Sequence, residues 1–91
     1  MEVKVISEGK KRLELEIPGE DHTLGNYLRA TLISIKGVKQ AGYDIIHPLT
    51  GGIRVVVVTE EGLAPRAAVA EALSRMGKEV EEFKEKVKSS T

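Results

Sequence analysis

The sequence has no cysteine and no tryptophan, one phenylalanine and two tyrosines, and no excess of either charge. Without cysteine there is no disulfide, no thiolate nucleophile and no cysteine-ligated zinc. Fourteen basic residues face fourteen acidic ones. A stand-alone nucleic-acid binder draws most of its non-specific affinity from a basic excess, and this chain has none. Exposed aromatics on which bases could stack are equally scarce. No apolar run approaches the length of about 20 residues that spans a bilayer. The opening Met1-Glu2-Val3-Lys4 lacks the basic and apolar regions of a secretory signal, so the expected address is the cytoplasm.

What is present describes a small, soluble, folded chain. Ninety-one residues are one domain's worth, expected to run from 1 to 91 without an internal linker. A core of that size is modest, so a partner covering apolar surface would matter to stability. Val3 and Val5 alternate with Lys4, and Leu13, Leu15 and Ile17 alternate with Arg12, Glu14 and Glu16. Period-2 runs joined by the short turn at 7–11 predict a half-buried antiparallel hairpin, ended by Pro18-Gly19. The basic run Lys10-Lys11-Arg12 is a solvated edge of that turn. Leu24, Leu28, Leu32 and Ile35 then recur at helical spacing, predicting a first helix capped near Thr23 and closed by Lys36-Gly37. In that reading Asp21 favours the positive helix end, and Asn26 bonds back to the cap.

A third strand is expected over 38–46, interrupted by Gly42, and a fourth over 53–59. Arg54 is the only polar residue between Ile53 and Val58, which predicts a central strand covered on both faces. A second helix runs from about Ala64 to Lys88, with Pro65 in its first turn. The order β-β-α-β-β-α predicts an α+β two-layer sandwich: a four-stranded antiparallel-type sheet with two helices on one face.

The second helix is too long for its own sheet. Val69, Leu73, Met76, Val80, Phe83 and Val87 step by four and three alternately, the seam of a helix built to lie along another helix. About 25 residues at 1.5 Å rise give roughly 37 Å, against a diameter near 30 Å for a compact chain of this size. Val80 to Val87 should therefore extend past the sheet, toward a partner. The pairs Glu71 with Arg75 and Glu82 with Lys86 stand four apart on the charged outer surface.

The segment Asp21-His22-Thr23-Leu24-Gly25-Asn26-Tyr27-Leu28-Arg29 carries the most information. Glycine within a helix costs roughly 1 kcal/mol relative to alanine, so Gly25 implies the close approach of a backbone or a bulky side chain. This stretch resembles the RNA polymerase assembly-subunit family, whose bacterial alpha member opens its dimerisation domain with a similar His-Thr-Leu-Gly-Asn. The later Gly42-Tyr43-Asp44-Ile45-Ile46-His47-Pro48-Leu49 is similar to the small archaeal assembly subunit and its eukaryotic counterpart. Together the two motifs and the long helix cover nearly the whole chain. Where the bacterial relative has an inserted second domain between its strands, this chain has only the short turn at 48–52.

The resemblance implies a non-catalytic subunit of DNA-directed RNA polymerase with no cofactor and no metal. It would form a heterodimer with the larger assembly subunit of the archaeal polymerase, the D subunit. That heterodimer would be the platform for the two large catalytic subunits. Leu24, Leu28 and Leu32 would sit in or beside the heterodimer interface, completed by Val69, Leu73, Met76, Val80 and Phe83. His22, Thr23, Gly25, Asn26 and Arg29 would fix the dimer or dock a large subunit. Residue by residue, plainer roles compete: a helix-start hydrogen bond for His22, a turn position for His47, a solvated charge for Arg29, and packing for Tyr27 and Tyr43. Rival functions are a small homodimeric α/β interaction module, a nucleic-acid-associated protein, and a small α/β enzyme of pterin-dehydratase architecture. The enzyme would need a histidine cluster for proton transfer, which two histidines far apart do not form. On the assembly reading, Leu28→Asp or Leu73→Asp abolishes the heterodimer, checked by the mass of the mixed subunits, because a carboxylate in a helical interface is strongly unfavourable.

Overall fold

The computed structural model describes residues 2–46 and 49–89; His47, with the turn role expected of it, lies outside the described residues. Along the chain run β1 (Lys4–Glu8), β2 (Arg12–Ile17), α1 (His22–Ile33), β3 (Val38–Ile45), β4 (Ile53–Thr59) and α2 (Pro65–Ser89). The strands form one antiparallel sheet in the order β1-β2-β4-β3. This is the expected α+β two-layer fold.

Alternation in β2 and β4 separates the two faces of the sheet. Leu13, Leu15 and Ile17 of β2 lie opposite Val57, Val55 and Ile53 of β4, and all six are buried. Against them pack Leu28 and Leu32 of α1 and Ala68, Val69, Ala72 and Met76 of α2, forming one core between sheet and helices. Thr59 is buried among these apolar groups and is satisfied by donating its hydroxyl to the Leu63 carbonyl at 2.7 Å.

The opposite face corrects the expectation that β4 is covered on both sides. It carries Arg12, Glu14, Glu16, Arg54, Val56 and Val58, with Arg54 exposed and bonded to Glu16 across the strands at 2.8 Å. Both helices lie on the other side, so Val56 and Val58 remain half-buried. A near-continuous apolar run marks a central strand here, but one with a single dry face. The hairpin needs a similar correction. β1 is an edge strand with a bulge between Val5 and Ser7, and none of its residues is buried.

The first helix begins earlier and ends sooner than its apolar spacing suggests. Asp21, not Thr23, is the N-cap; its carboxylate accepts the Thr23 N–H at 2.9 Å. An aspartate at this position satisfies an orphan donor of the first turn and places a negative charge at the positive helix end. At the other end Ser34 is the C-cap, and its hydroxyl donates to the Thr31 carbonyl at 2.6 Å. Ile35 is buried in the turn beyond the helix, and Gly37 adopts φ +98° at the exit, a conformation disfavoured for residues with a Cβ. Gly42 interrupts nothing: it lies within β3, opposite Val56.

Gly25 explains how the first helix is seated. A Cβ built there would lie 2.5 Å from the ring of Tyr43 on β3, so the glycine is the slot that the tyrosine fills. The Tyr43 hydroxyl and His22 Nδ1 share a hydrogen bond of 2.9 Å, and the two rings meet edge-on. The two sequence motifs are therefore halves of one contact between α1 and β3. Gly25→Ala should destabilise the chain in thermal melts: overpacking costs about 1–3 kcal/mol, against a helix-propensity gain of about 1 kcal/mol. On a Tyr43→Ala background the same change should turn neutral or stabilising, because only the propensity gain remains.

Candidate functional site

Helix α2 divides at Met76. Before that point Pro65, Ala68, Val69, Ala72 and Met76 are buried on the sheet. After it, every described residue of the helix is exposed. The apolar seam nevertheless continues, with Val80 45%, Phe83 68% and Val87 48% exposed. This overhang, residues 77–89, corresponds to roughly 20 Å of helix standing clear of the sheet. It stretches the molecule to 47 × 36 × 17 Å and its radius of gyration to 14.2 Å, above the value of about 12 Å for a compact chain of this length.

The overhang is anchored where it leaves the body. Tyr27 of α1 donates its hydroxyl to Glu79 Oε2 at 3.0 Å, tying the two helices together one turn past Met76. Partial desolvation and the neighbouring carboxylate both push the Tyr27 hydroxyl pKa up, which keeps it protonated as the donor. Glu71 and Arg75 pair at 3.1 Å as their spacing predicts. No ion pair joins Glu82 and Lys86 among the described residues; the nearest charge pair is Lys84 with Glu81, at 3.9 Å.

Beside the base of the overhang runs an apolar groove of about 300 Å³, between edge strand β1 and α2. Val3, Val5, Leu13, Leu15, Val69 and Leu73 line it. It exists because α1 and α2 cover β3, β4 and β2 but leave β1 without a helix above it. Arg66 crosses from α2 to β1, donating Nε to Glu8 Oε2 and Nη2 to Glu8 Oε1, both at 2.7 Å. This two-pronged pairing holds the Glu8 carboxyl below the usual glutamate range and pushes the Arg66 guanidinium up.

The expected site residues fall into three groups. Val80 and Phe83 are open to a partner, and half-buried Leu73 lies in the groove. Leu28 and Leu32 have no exposed surface, and Val69 and Met76 have little, so these four act mainly on the fold and only through it on any partner. The resemblance implies that Leu28 and Leu32 lie in or beside the interface; in this chain both are buried in its own core, and their helical spacing marks that buried stripe. Leu28→Asp should therefore unfold the chain, while Leu73→Asp tests the surface. Leu24 is half-buried against the core, and Gly25 is occupied by Tyr43.

The third group lies on the outside of α1. His22, Thr23, Asn26 and Arg29 are exposed, and His22, Asn26, Arg29 and Ile33 form a stripe at helical spacing. Arg29 and Ile33 continue into a shallow hollow of about 410 Å³ along β3, beside Lys39 and Gln40. The Tyr27–Glu79 bond, the Arg66–Glu8 bridge and the groove have no counterpart among the sequence expectations. Each joins residues 52 or more positions apart, or depends on which strand lies at the edge, and no local pattern encodes either. Among the described residues no group of histidine and carboxylate side chains is arranged to hold a metal ion. Among the described residues no helix is long and apolar enough to cross a membrane.

A sheet covered on one face, with a helix whose apolar seam outruns it, defines an interaction module. Comparison with known proteins gives that class a family. A family model described as the RNA polymerase Rpb3/Rpb11 dimerisation domain matches residues 12–86. The DNA-directed RNA polymerase subunit Rpo11 of Sulfurisphaera tokodaii is 38% identical over 98% of this chain and 96% of its own length. The subunit of the same name from Saccharolobus shibatae is 40% identical over 100% of this chain and 99% of its own. The crystal structure of DNA-directed RNA polymerase subunit L from Thermoplasma acidophilum superposes with a TM-score of 0.84 at 25% identity, over 98% of this chain and 87% of that one. The chain belongs to the RNA polymerase Rpb3/Rpb11 dimerisation family.

The Arg66–Glu8 bridge gives the groove a pH dependence of defined sign. Because the folded Glu8 pKa is depressed, its contribution is present above the unfolded value near 4.5 and is lost as pH falls through the folded value. Between pH 6 and about pH 3, wild type should lose more thermal stability than Glu8→Gln, whose midpoint lacks this dependence.

Proposed function

We propose that the chain is an assembly subunit of DNA-directed RNA polymerase, a single dimerisation domain that pairs with the larger assembly subunit, the D subunit. The observation that carries this reading is the overhang: a helix with an apolar seam exposed at Val80, Phe83 and Val87, beside an apolar groove. A packed partner helix would cover the seam, and a second element would fill the space above β1. Together these surfaces supply what a stable interface needs, an apolar centre rimmed by charged side chains.

The heterodimer then acts as the platform for the large catalytic subunits. The exposed polar residues His22, Thr23, Asn26 and Arg29 of α1 are our candidates for docking one of them. Arg29 suits this role because a guanidinium makes forked hydrogen bonds to a carboxylate across an interface. Nucleotide polymerisation belongs to the assembled complex, and this chain contributes position rather than chemistry. On this reading the protein works in the cytoplasm with the rest of the polymerase. Direct nucleic-acid binding has less support, because the net charge is zero and the open sheet face mixes Glu14, Glu16 and Asp44 with Arg12 and Arg54.

Phe83→Asp separates pairing from folding, since the side chain is 68% exposed in the free chain. The variant should keep the wild-type circular dichroism and melting temperature yet lose at least about 100-fold in affinity for the larger assembly subunit, as expected for a hot-spot aromatic. Sedimentation of the mixed subunits checks this. A wild-type chain that forms no one-to-one complex with that partner would defeat the proposal.

A further inference from the structure

The second helix is weakest where its support ends. Gly77 follows Met76, the last residue of α2 buried on the sheet, and is itself exposed. Unlike Gly25, it has no packing reason to be glycine: a Cβ built there would meet nothing within 4 Å beyond its own turn of helix. Nor is its φ positive. Glycine in a helix interior lowers the helical population about fivefold relative to alanine. Residues 77–89 stand clear of the sheet, and a free helix shorter than about 12–15 residues is marginal in water. Carrying the helix past Gly77 therefore needs support that the overhang supplies poorly by itself.

That support comes from the first helix. The Tyr27 ring packs against the core, so it is held by the body of the domain. Its hydroxyl donates to Glu79 Oε2 at 3.0 Å, in the first turn beyond the glycine. The bond thus spans the soft point, from a fixed element on one side to the overhang on the other. We infer that Tyr27 is a positioning residue: by holding Glu79 it carries α2 across Gly77 and presents Val80 and Phe83 on a formed helix. The apparent affinity for a partner scales with the fraction of chains whose overhang is formed. The effect on a partner rests on the assembly reading, whereas the helical state of the overhang is a property of the free chain. The seat of α1 then acts at a distance. Gly25 admits the Tyr43 ring, that contact fixes α1 on β3, and α1 aims Tyr27 at the overhang.

Variants of the full chain test this by two readouts: backbone carbon chemical shifts of residues 81–86 in the free chain, and titration with the larger assembly subunit. Tyr27→Phe keeps the ring and removes the hydroxyl. It should lower the helical population of residues 81–86 and weaken the heterodimer about threefold, while the shifts of β2 and β4 stay those of wild type. Gly77→Ala should raise that population and leave the affinity equal to wild type or tighter. The double variant Y27F/G77A should return both readouts to wild-type values, because about fivefold from alanine offsets about fivefold from the lost bond. Unchanged helicity of residues 81–86 in Tyr27→Phe would overturn the inference, as would a double variant no more helical than Y27F. So would a Gly77→Ala chain that gains helix yet loses affinity, since the glycine would then be a slot for a side chain of the partner. A wild-type chain that forms no heterodimer defeats the assembly reading alone, and the chemical shifts then decide the inference by themselves.

Discussion

A mismatch of length governs this molecule. The strands beneath α2 are six and seven residues long, at most about 23 Å, whereas the helix of 25 residues runs roughly 37 Å. The sheet can bury only the first half of such a helix, and the apolar seam does not stop where the sheet does. The exposed half of the seam follows from that excess. The molecule's elongated shape and the exposed Phe83 are consequences of one helix that its own domain cannot cover.

The body of the domain serves to hold that helix in place. Ala68, Ala72 and Met76 seat α2 on the sheet, and Tyr27 reaches across from α1 to Glu79 just past the last buried residue. The first helix is itself fixed by Gly25, which admits the Tyr43 ring, and by the bond from His22 to the Tyr43 hydroxyl. A chain of contacts thus runs from β3 through α1 to the base of the overhang. The family signature in the first helix acts, in this structure, largely as the joint of that chain. The polar residues left outside it, from Thr23 and Asn26 to Arg29, are the ones still available to a neighbour.

Much of this is legible without coordinates. Alternation in β2 identifies its core face residue by residue, because a strand's period of two leaves no freedom about which side chains share a face. The heptad step of α2 indicates a helix of the right length, and the oddity of Gly25 indicates a close approach that Tyr43 makes. The errors share a cause. The near-continuous apolar run makes β4 look covered twice, and spacing leaves open what covers Leu28 and Leu32, because an apolar pattern reports only that a surface is buried. It does not report what does the burying. The cap falls at Asp21 rather than Thr23 for a smaller reason: both residues can accept an N–H at a helix start, and the geometry of the preceding turn chooses between them.

Sequence alone determined the elements, their order, the buried face of β2 and the excess length of α2, since each depends on local periodicity and rise per residue. Tertiary structure decided which strand became the bare edge, where along α2 burial stops, and which side chains bridge distant elements. The Arg66–Glu8 and Tyr27–Glu79 contacts, 58 and 52 residues apart in sequence, illustrate the division. Local patterns cannot encode such pairings, because they arise only once sheet order and helix placement bring the two ends together.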